Sequence, residues 1–184
     1  MILPIYLYGS DVLRQKAAPA DLSEKEKITK LVSDMEETLA KSEGCGLAAP
    51  QVGESVRILI VDGTGMTDVY PYLADFKRVM INPVILEESE KKCEYSEGCL
   101  SIPGIYCDVT RPQSITVEYY NGDFEKVTET FDKFACRMVQ HEMSHLDGDL
   151  FVDHVAPIRK KIISKKLMNI AKGKVFARYA TKIK

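Results

Sequence analysis

A chain of 184 residues with 45% hydrophobic and 28% charged residues has the composition of one globular domain, which excludes a disordered or fibrous protein. No apolar run reaches 18 residues, and residues 1–10 lack the basic start and cleavage site of a secretory signal, so we expect neither a membrane span nor export. Five cysteines without a C-x-x-C pair fit a reducing cytoplasm better than a disulfide framework.

The net charge of −2 conceals a strongly basic C-terminal segment. Ten lysines and arginines follow Asp153 and no acidic residue does, so the rest of the chain holds 15 basic against 27 acidic residues. We expect a single domain over residues 1–184 with a basic tail, residues 157–184, directed at a polyanion. A solvated helix face explains the same composition equally well.

The first predicted elements are a helix and a glycine-rich stretch. Ser23 followed by Glu26 predicts a capping box, and the apolar spacing behind it predicts an amphipathic helix over residues 23–42. Residues 44–53, GCGLAAPQVG, superficially match a dinucleotide-binding pattern, but Pro50 blocks the helix that such a site requires. The stretch instead predicts a backbone that a ligand can approach closely, followed by the amide of Gln51. A tight turn with a surface glutamine is the alternative.

The middle of the chain is predicted to be rich in strands. Runs of β-branched and apolar residues predict strands at residues 56–61, 79–86, 92–96, 105–109, 114–120 and 124–130. Pro83 should lie at a sheet edge or a bulge, and Asn121-Gly122 predicts a type I′ hairpin. Residues 63–78 are expected to be a loop-like insertion, and residues 97–104 a loop with a central cysteine.

Residues 140–145, QHEMSH, carry the strongest chemical signal. His141 and His145 would lie on one face of a helix that Asp132 caps, close enough to bind one metal ion. Glu142 would lie beside that ion as a general base. An ordinary helix with two exposed histidines is the alternative.

A catalytic metal site of this kind needs a third protein ligand. Phe151 occupies the position where the extended motif has its third histidine, and no glutamate follows Glu142, so an upstream cysteine is the expected donor. Cys99 and Cys45 both lie in glycine-rich stretches, and the residues alone do not choose between them. Weaker downstream candidates are Asp147, Asp149, Asp153 and His154.

The remaining elements complete an α+β fold in which antiparallel strands wrap around a central metal-binding helix, with a C-terminal helix. Phe134 and Met138 share a face with the histidines and predict an apolar wall beside the metal. After Pro157, apolar residues at helical spacing predict the last helix, with basic residues on its outer face. These apolar residues are Ile162, Ile163, Leu167, Ile170 and Ala171.

Three segments, GCGLAAPQ at 44–51, EGCLS at 97–101 and QHEMSH at 140–145, resemble the three signature motifs of peptide deformylase in order and spacing. The opening pattern up to Arg14 is also similar. The resemblance implies that a divalent metal is held by Cys99, His141 and His145. Ferrous iron is favoured, with zinc, nickel and cobalt as alternatives.

The resemblance further implies hydrolysis of the N-formyl group from the initiator methionine of nascent chains, with release of formate. A metal-bound water would be the nucleophile and Glu142 the acid/base, while Gln51 and the N–H of Leu100 would face the formyl oxygen. Substrate-binding residues would be Gly44, Cys45, Gly46, Glu97, Gly98, Phe134 and Met138. Deformylases are thought to dock on ribosomes, which suggests ribosomal RNA as the polyanion that the basic tail contacts.

Two positions depart from the family pattern, and two other functions compete with this one. Cys45 replaces an aliphatic residue and Ser144 replaces an acid, while Arg111 is expected either to pair with Glu97 or to be exposed. A zinc protease would use a downstream acid or His154 as its third ligand. A structural metal site or ribosome-associated module would have four protein ligands and no role for Glu142.

Overall fold

The computed structural model describes residues 1–184 and contains three α-helices and nine β-strands. The helices are α1 (Lys25–Ser42), α2 (Lys133–Leu146) and α3 (Pro157–Ala171). The strands are β1 (Ile5–Tyr6), β2 (Gly46–Ala48), β3 (Ile58–Asp62), β4 (Lys77–Glu88), β5 (Lys92–Cys99), β6 (Ile102–Pro112), β7 (Ser114–Tyr120), β8 (Lys126–Asp132) and β9 (Thr181–Lys182). The predicted α+β class is confirmed. None of the helices combines the length and apolarity needed to span a bilayer.

The strands form one antiparallel sheet and two smaller pairs. The sheet has the order β2-β3-β4-β7-β8, β5 and β6 form a long hairpin, and β1 pairs in parallel with β9. Both faces of the sheet are covered. Leu59 and Val61 of β3 pack in the cluster that contains α2, whereas Ile58 and Ile60 pack with α1, as the alternation of a strand requires.

Helix α2 lies between the sheet and the β5–β6 hairpin. Val139, Met143 and Leu146 are spaced to form one apolar stripe and are buried against the sheet. The opposite side of α2 carries Arg137, whose guanidinium donates to the carbonyl of Val109 in β6. The central helix predicted from the sequence is therefore confirmed, and its polar side faces the hairpin.

The prediction of a loop at residues 97–104 is wrong. Cys99 is the last residue of β5 and pairs with Ile102, the first residue of β6, so only Leu100 and Ser101 form the turn. Pro103 cannot donate to a strand ladder, yet it lies in β6. In a two-stranded hairpin each strand has a free edge, where a missing N–H is tolerated.

Local capping and turn signals were also misleading. Helix α1 begins at Lys25 without a capping box, because the hydroxyl of Ser23 donates to Asp21 instead. The β7–β8 connection is longer than a type I′ turn: the side chain of Asn121 accepts backbone N–H groups within the loop, and Phe124 has a positive φ of 62°. Asp132 does precede α2, but its side chain makes no capping hydrogen bond.

The segment at 63–78 and Pro83 are both built into the sheet region. Two short 3-10 turns, Thr64–Met66 and Pro71–Leu73, lead into β4, and Leu73 is fully buried in the cluster that contains α2. The segment is thus partly core and not only a surface loop. Pro83 was predicted to lie at a sheet edge or at a bulge, and it lies at a bulge between Ile81 and Val84.

The basic segment at 157–184 is packed on the protein rather than projecting as a tail. Ile163 and Ile170 of α3 are buried in the cluster that contains β6, whereas Ile162 is 63% exposed, contrary to its predicted place on the apolar face. Beyond α3, Thr181–Lys182 pairs with β1 near the start of the chain. Truncation after residue 157 would therefore remove part of the core.

Asn82 offers a test of how the bulge in β4 is held. Its side chain both accepts from the N–H of Ala20 and donates to the Ala20 carbonyl, and its φ is +50°. We predict that Asn82→Gly lowers the free energy of unfolding by about 2 kcal/mol, since each bond contributes about 1 kcal/mol. Asn82→Ala should lower it by about 3 kcal/mol, because alanine resists positive φ more than glycine does.

Urea unfolding measures both losses, with an unchanged m-value showing that the denatured state is comparable. Equal stability of the alanine and glycine variants would contradict the proposed backbone contribution. If both variants were as stable as the wild type, the two hydrogen bonds between Asn82 and Ala20 would not stabilise the fold.

Candidate active site

One cysteine and two histidines converge where α2 meets the hairpin turn. Ligand atoms of Cys99, His141 and His145 all lie within 4.8 Å of one another. The Sγ of Cys99 is 3.4 Å from Nε2 of His145, which is 1% exposed. Two imidazoles and a thiolate are donors that suit a divalent transition metal, and three protein ligands leave a coordination position open. The geometry therefore fits a metal ion, and of the two candidate cysteines it is Cys99 that lies in the cluster.

The carboxylate of Glu97 joins this cluster to the hairpin. It is 4% exposed and accepts from Nε and Nη2 of Arg111, at 2.8 and 3.0 Å, and from Nη1 of Arg137. It also accepts from Nδ1 of His141 at 2.8 Å, which leaves Nε2 of that ring free to bind a metal. Burial alone would raise the pKa of Glu97, but its bonds with His141 and Arg111 hold the pKa well below its usual range.

The electrostatics of the two histidines differ. Burial lowers the pKa of His141, whereas its interactions with Cys99 and Glu97 raise it, and the net pKa is about 10. The surroundings thus stabilise positive charge at this ring, whether a proton or a metal ion supplies it. Burial and the charges of His141 and Arg111 lower the pKa of His145, which favours the neutral imidazole that metal binding requires.

Glu142 lies beside the histidines with a carboxylate that is largely unpartnered. It is buried, its Oε2 has no hydrogen-bond partner, and burial raises its pKa to about 7. A Cβ placed on Gly46 would lie 2.5 Å from Oε1 of Glu142, so the glycine makes room for this carboxylate. A carboxyl group with a pKa near neutrality can both take up and release a proton.

Gln51 connects β2 to the hairpin turn. Its Oε1 accepts from the N–H of Ala48 at 2.9 Å, which fixes which end of the amide faces the cluster. Its Nε2 donates to Oγ of Ser101 at 3.1 Å and lies 3.4 Å from Sγ of Cys99. The alternative of a surface glutamine is wrong, since Gln51 is buried.

One cavity of about 790 Å³ is lined by Cys99, His141, Glu142 and Gln51, with His145 buried behind them. The predicted substrate-binding residues all line it, namely Gly44, Cys45, Gly46, Glu97, Gly98, Phe134 and Met138. Burial raises the pKa of Cys45 to about 12, so this thiol is protonated and behaves as a small apolar side chain. Strand β2, which contributes Gly46, is the edge strand of the sheet and leaves one side open for pairing.

The downstream ligand candidates are engaged elsewhere. Asp153 pairs with Arg14, Asp147 with Arg57, and His154 with Asp149. None of them joins the cluster of Cys99 and the two histidines. The third ligand that a zinc protease was expected to use is therefore not supplied from this segment.

Sequence reasoning missed two contributors to the site. Arg137 lies one helical turn before His141, a spacing that could have indicated its contact with Glu97. Tyr179 and the three residues before it line the cavity, and nothing in the local sequence signals this. Ser144, in place of an acid, accepts from Nη1 of Arg111 at 2.9 Å and so retains a neutral form of that contact.

Comparison with known proteins agrees with this geometry. The sequence profile of the polypeptide deformylase family matches residues 2–161. The peptide deformylase of Christiangramia forsetii is 42% identical over 97% of this chain and 94% of its own length, and that of Flavobacterium johnsoniae is 41% identical over 99% and 96%.

Solved structures give the same result. The crystal structure of peptide deformylase from Thermus thermophilus superposes with a TM-score of 0.83 at 34% identity, over 95% of this chain and all of that one. Because the family profile covers most of the sequence and the relatives match nearly end to end, the chain belongs to the polypeptide deformylase family.

Proposed function

We propose that this protein is a metal-dependent hydrolase that removes the N-formyl group from the initiator methionine of nascent polypeptides and releases formate. The observation that carries the proposal is the cluster of Cys99, His141 and His145 with Glu142 beside it. Cys99, His141 and Glu142 line a cavity large enough for a peptide terminus. A substrate of this kind would place the reaction in the cytoplasm, at the ribosome. Residues 1–184 would form one catalytic domain.

The metal would be held by Sγ of Cys99 and by the imidazoles of His141 and His145. A bound divalent ion supplies Lewis acidity and lowers the pKa of a water molecule towards neutrality. We propose ferrous iron as the physiological ion because of the family resemblance; the ligand set also suits zinc, nickel and cobalt. An exposed iron–thiolate pair is open to oxidation by oxygen and peroxide.

Glu142 would manage the protons of the reaction. Its carboxylate accepts a proton from the attacking water and delivers it to the departing nitrogen, because an amide cleaves only if the amine leaves neutral. The unpartnered Oε2 of Glu142 and its pKa of about 7 support this role. The other carboxylate at the cluster, that of Glu97, is not free to act in this way, since its oxygens are occupied by two arginines and His141.

Two donors would stabilise the oxygen of the formyl group as it gains charge. Nε2 of Gln51 points towards Sγ of Cys99, and the N–H of Leu100 follows that cysteine in the turn. Losing one such donor typically costs about 3–4 kcal/mol of barrier. The bond from Ala48 to Oε1 of Gln51 orients the amide before substrate arrives, which is what preorganisation requires.

The substrate would bind as an added strand with its first side chain in an apolar recess. The free edge of β2 at Gly46 can pair with an extended peptide. Phe134 and Met138 line the cavity, and Phe134 stacks on Tyr70 with ring centroids 4.5 Å apart, which supports this wall from behind. A methionine side chain is long and flexible enough to fill such a recess.

Contact with the ribosome is proposed for the exposed face of α3. Lys161 and Lys165 lie one turn apart and are exposed, together with the apolar side chains of Ile158 and Ile162. Basic side chains on one helical face suit a phosphate backbone, whose binding depends strongly on salt. The burial of Ile163 and Ile170 on the other face fixes the helix in place.

The principal test combines formate release with a change at Glu142. The wild-type protein should release formate from a formyl-methionyl peptide and leave an unformylated peptide intact. Glu142→Gln keeps the shape of the side chain but removes the base, so turnover should fall at least 10²-fold while metal content stays near one per chain. Comparable turnover in this variant would exclude the mechanism, and cleavage of the unformylated peptide would favour a protease.

A second test concerns the metal ligands, with Cys45 as the matched control. Cys99→Ser should empty the site, since serine is a far weaker donor for these ions than thiolate, whereas Cys45→Ser should keep nearly full occupancy. Metal analysis of protein prepared without oxygen measures both. Iron-loaded protein should lose activity in air and nickel-loaded protein should keep it. An empty site in Cys45→Ser with a filled one in Cys99→Ser would overturn the assignment.

A third test separates ribosome binding from catalysis. The double substitution Lys161→Gln and Lys165→Gln should weaken binding to ribosomes about tenfold. It should also make the slope of log K against log salt concentration shallower by about two. Turnover of a small formyl peptide should not change, because the cavity is unaffected. Lys91→Gln with Lys92→Gln removes the same charge from another exposed place and should leave binding unchanged. Equal weakening by both pairs would contradict a specific contact through α3.

A further inference from the structure

The turn that carries Leu100 is held by parts of the chain far away in sequence. The carbonyl of Leu100 accepts from the hydroxyl of Tyr179 at 2.6 Å, its only hydrogen bond. The carbonyl of Ser101 accepts from the N–H of Tyr8 at 2.8 Å, and Oγ of Ser101 accepts from Gln51. Tyr179, Tyr8 and Gln51 therefore each hold one of the two turn residues by a hydrogen bond.

Tyr179 is itself firmly placed. It precedes Ala180, whose carbonyl accepts from the N–H of Ile5 at 2.9 Å, and the pairing of β9 with β1 follows immediately. Its ring is half-buried and packs in the same cluster as Leu100. Burial, with the nearby thiol of Cys99, raises the pKa of Tyr179 above its usual value, so its hydroxyl remains a proton donor.

We propose that Tyr179 is a positioning residue for the hydrolysis: it fixes the Leu100 carbonyl so that the Leu100 N–H is aimed at the formyl oxygen. The inference rests on the proposed function and adds to it a residue from the other end of the fold. Leu100 lies in a two-residue turn, where no strand ladder restrains its carbonyl. The N–H belongs to the Cys99–Leu100 peptide and the carbonyl to the Leu100–Ser101 peptide, and both peptides share the Leu100 Cα. Holding the carbonyl in place therefore limits the movement of this Cα and of the N–H next to it.

The other contacts of Leu100 do not replace this bond. Its side chain packs against Gly44, where an added Cβ would lie 2.8 Å from Cδ1, but apolar packing is not directional. A hydrogen bond is directional, and its loss permits the Leu100–Ser101 peptide to rotate and the Leu100 Cα to shift without loss of packing. Misplacement of a catalytic group by about 1 Å can cost about 10²-fold in rate, so a partial loss of order should be measurable.

Tyr179→Phe tests the inference, with Tyr6→Phe as the control. Tyr6 lies in β1 of the same strand pair, and no hydrogen bond involves its hydroxyl, so the control removes a hydroxyl without touching the turn. In Tyr179→Phe, kcat for a formyl-methionyl peptide should fall about tenfold with KM and metal content unchanged. This split is expected when an interaction made in the transition state is lost. Tyr6→Phe should keep wild-type kcat.

Three results would overturn the inference. They are a kcat of Tyr179→Phe within twofold of wild type, a fall in activity that follows a loss of metal, and an equal fall in Tyr6→Phe. In each case wild-type protein still releases formate and the proposed function stands. Wild-type protein that releases no formate from the formyl peptide overturns the proposed function itself, and the inference with it.

Discussion

The buried carboxylate of Glu97 is the constraint on which the arrangement of the site depends. It lies in β5 two residues before Cys99, and its partners include His141 and Arg137 on α2. A buried carboxylate without these donors would be strongly destabilised, so the hairpin and the helix must meet in the one register that satisfies it. That register brings the thiol of Cys99 beside the two imidazoles. A charge whose oxygens are all engaged by protein groups thus sets the geometry of the groups proposed to act on the substrate.

Glycine serves the site by leaving space for protein atoms. The sequence interpretation assigned Gly44 and Gly46 to the approach of a substrate backbone. In the structure, the carboxylate of Glu142 occupies the space beside Gly46, and the side chain of Leu100 occupies that beside Gly44. Two groups proposed to act on the formyl group are therefore packed directly over glycines. Strand β2 remains the edge strand of the sheet, with β3 as its one strand partner.

Sequence patterns predicted the parts of the fold that depend on the regular spacing of apolar residues along a helix or a strand. The helix that carries His141 and His145, the strands on either side of the β7–β8 connection and the α+β class follow from spacing that a few neighbouring residues determine. The choice of Cys99 over Cys45 followed only from family resemblance, because it depends on a hairpin register that the chain sets through Glu97. Local signals failed where a side chain formed a different hydrogen bond from the one predicted. The hydroxyl of Ser23, for example, donates to Asp21 and does not cap α1.

The C-terminal segment was the least predictable part, since its place depends on contacts with residues near the start of the chain. Composition alone described it as a basic tail, yet Ile163 and Ile170 are core residues and Tyr179 reaches the hairpin turn. The pairing of Ile5 with Thr181 joins positions almost a full chain length apart. Contacts of such long separation slow folding, because the intervening chain loses conformational entropy before they form. A chain still being synthesised cannot make this pairing until Thr181 has left the ribosome, so the Leu100 carbonyl lacks its bond from Tyr179 while the residues before Tyr179 are being made.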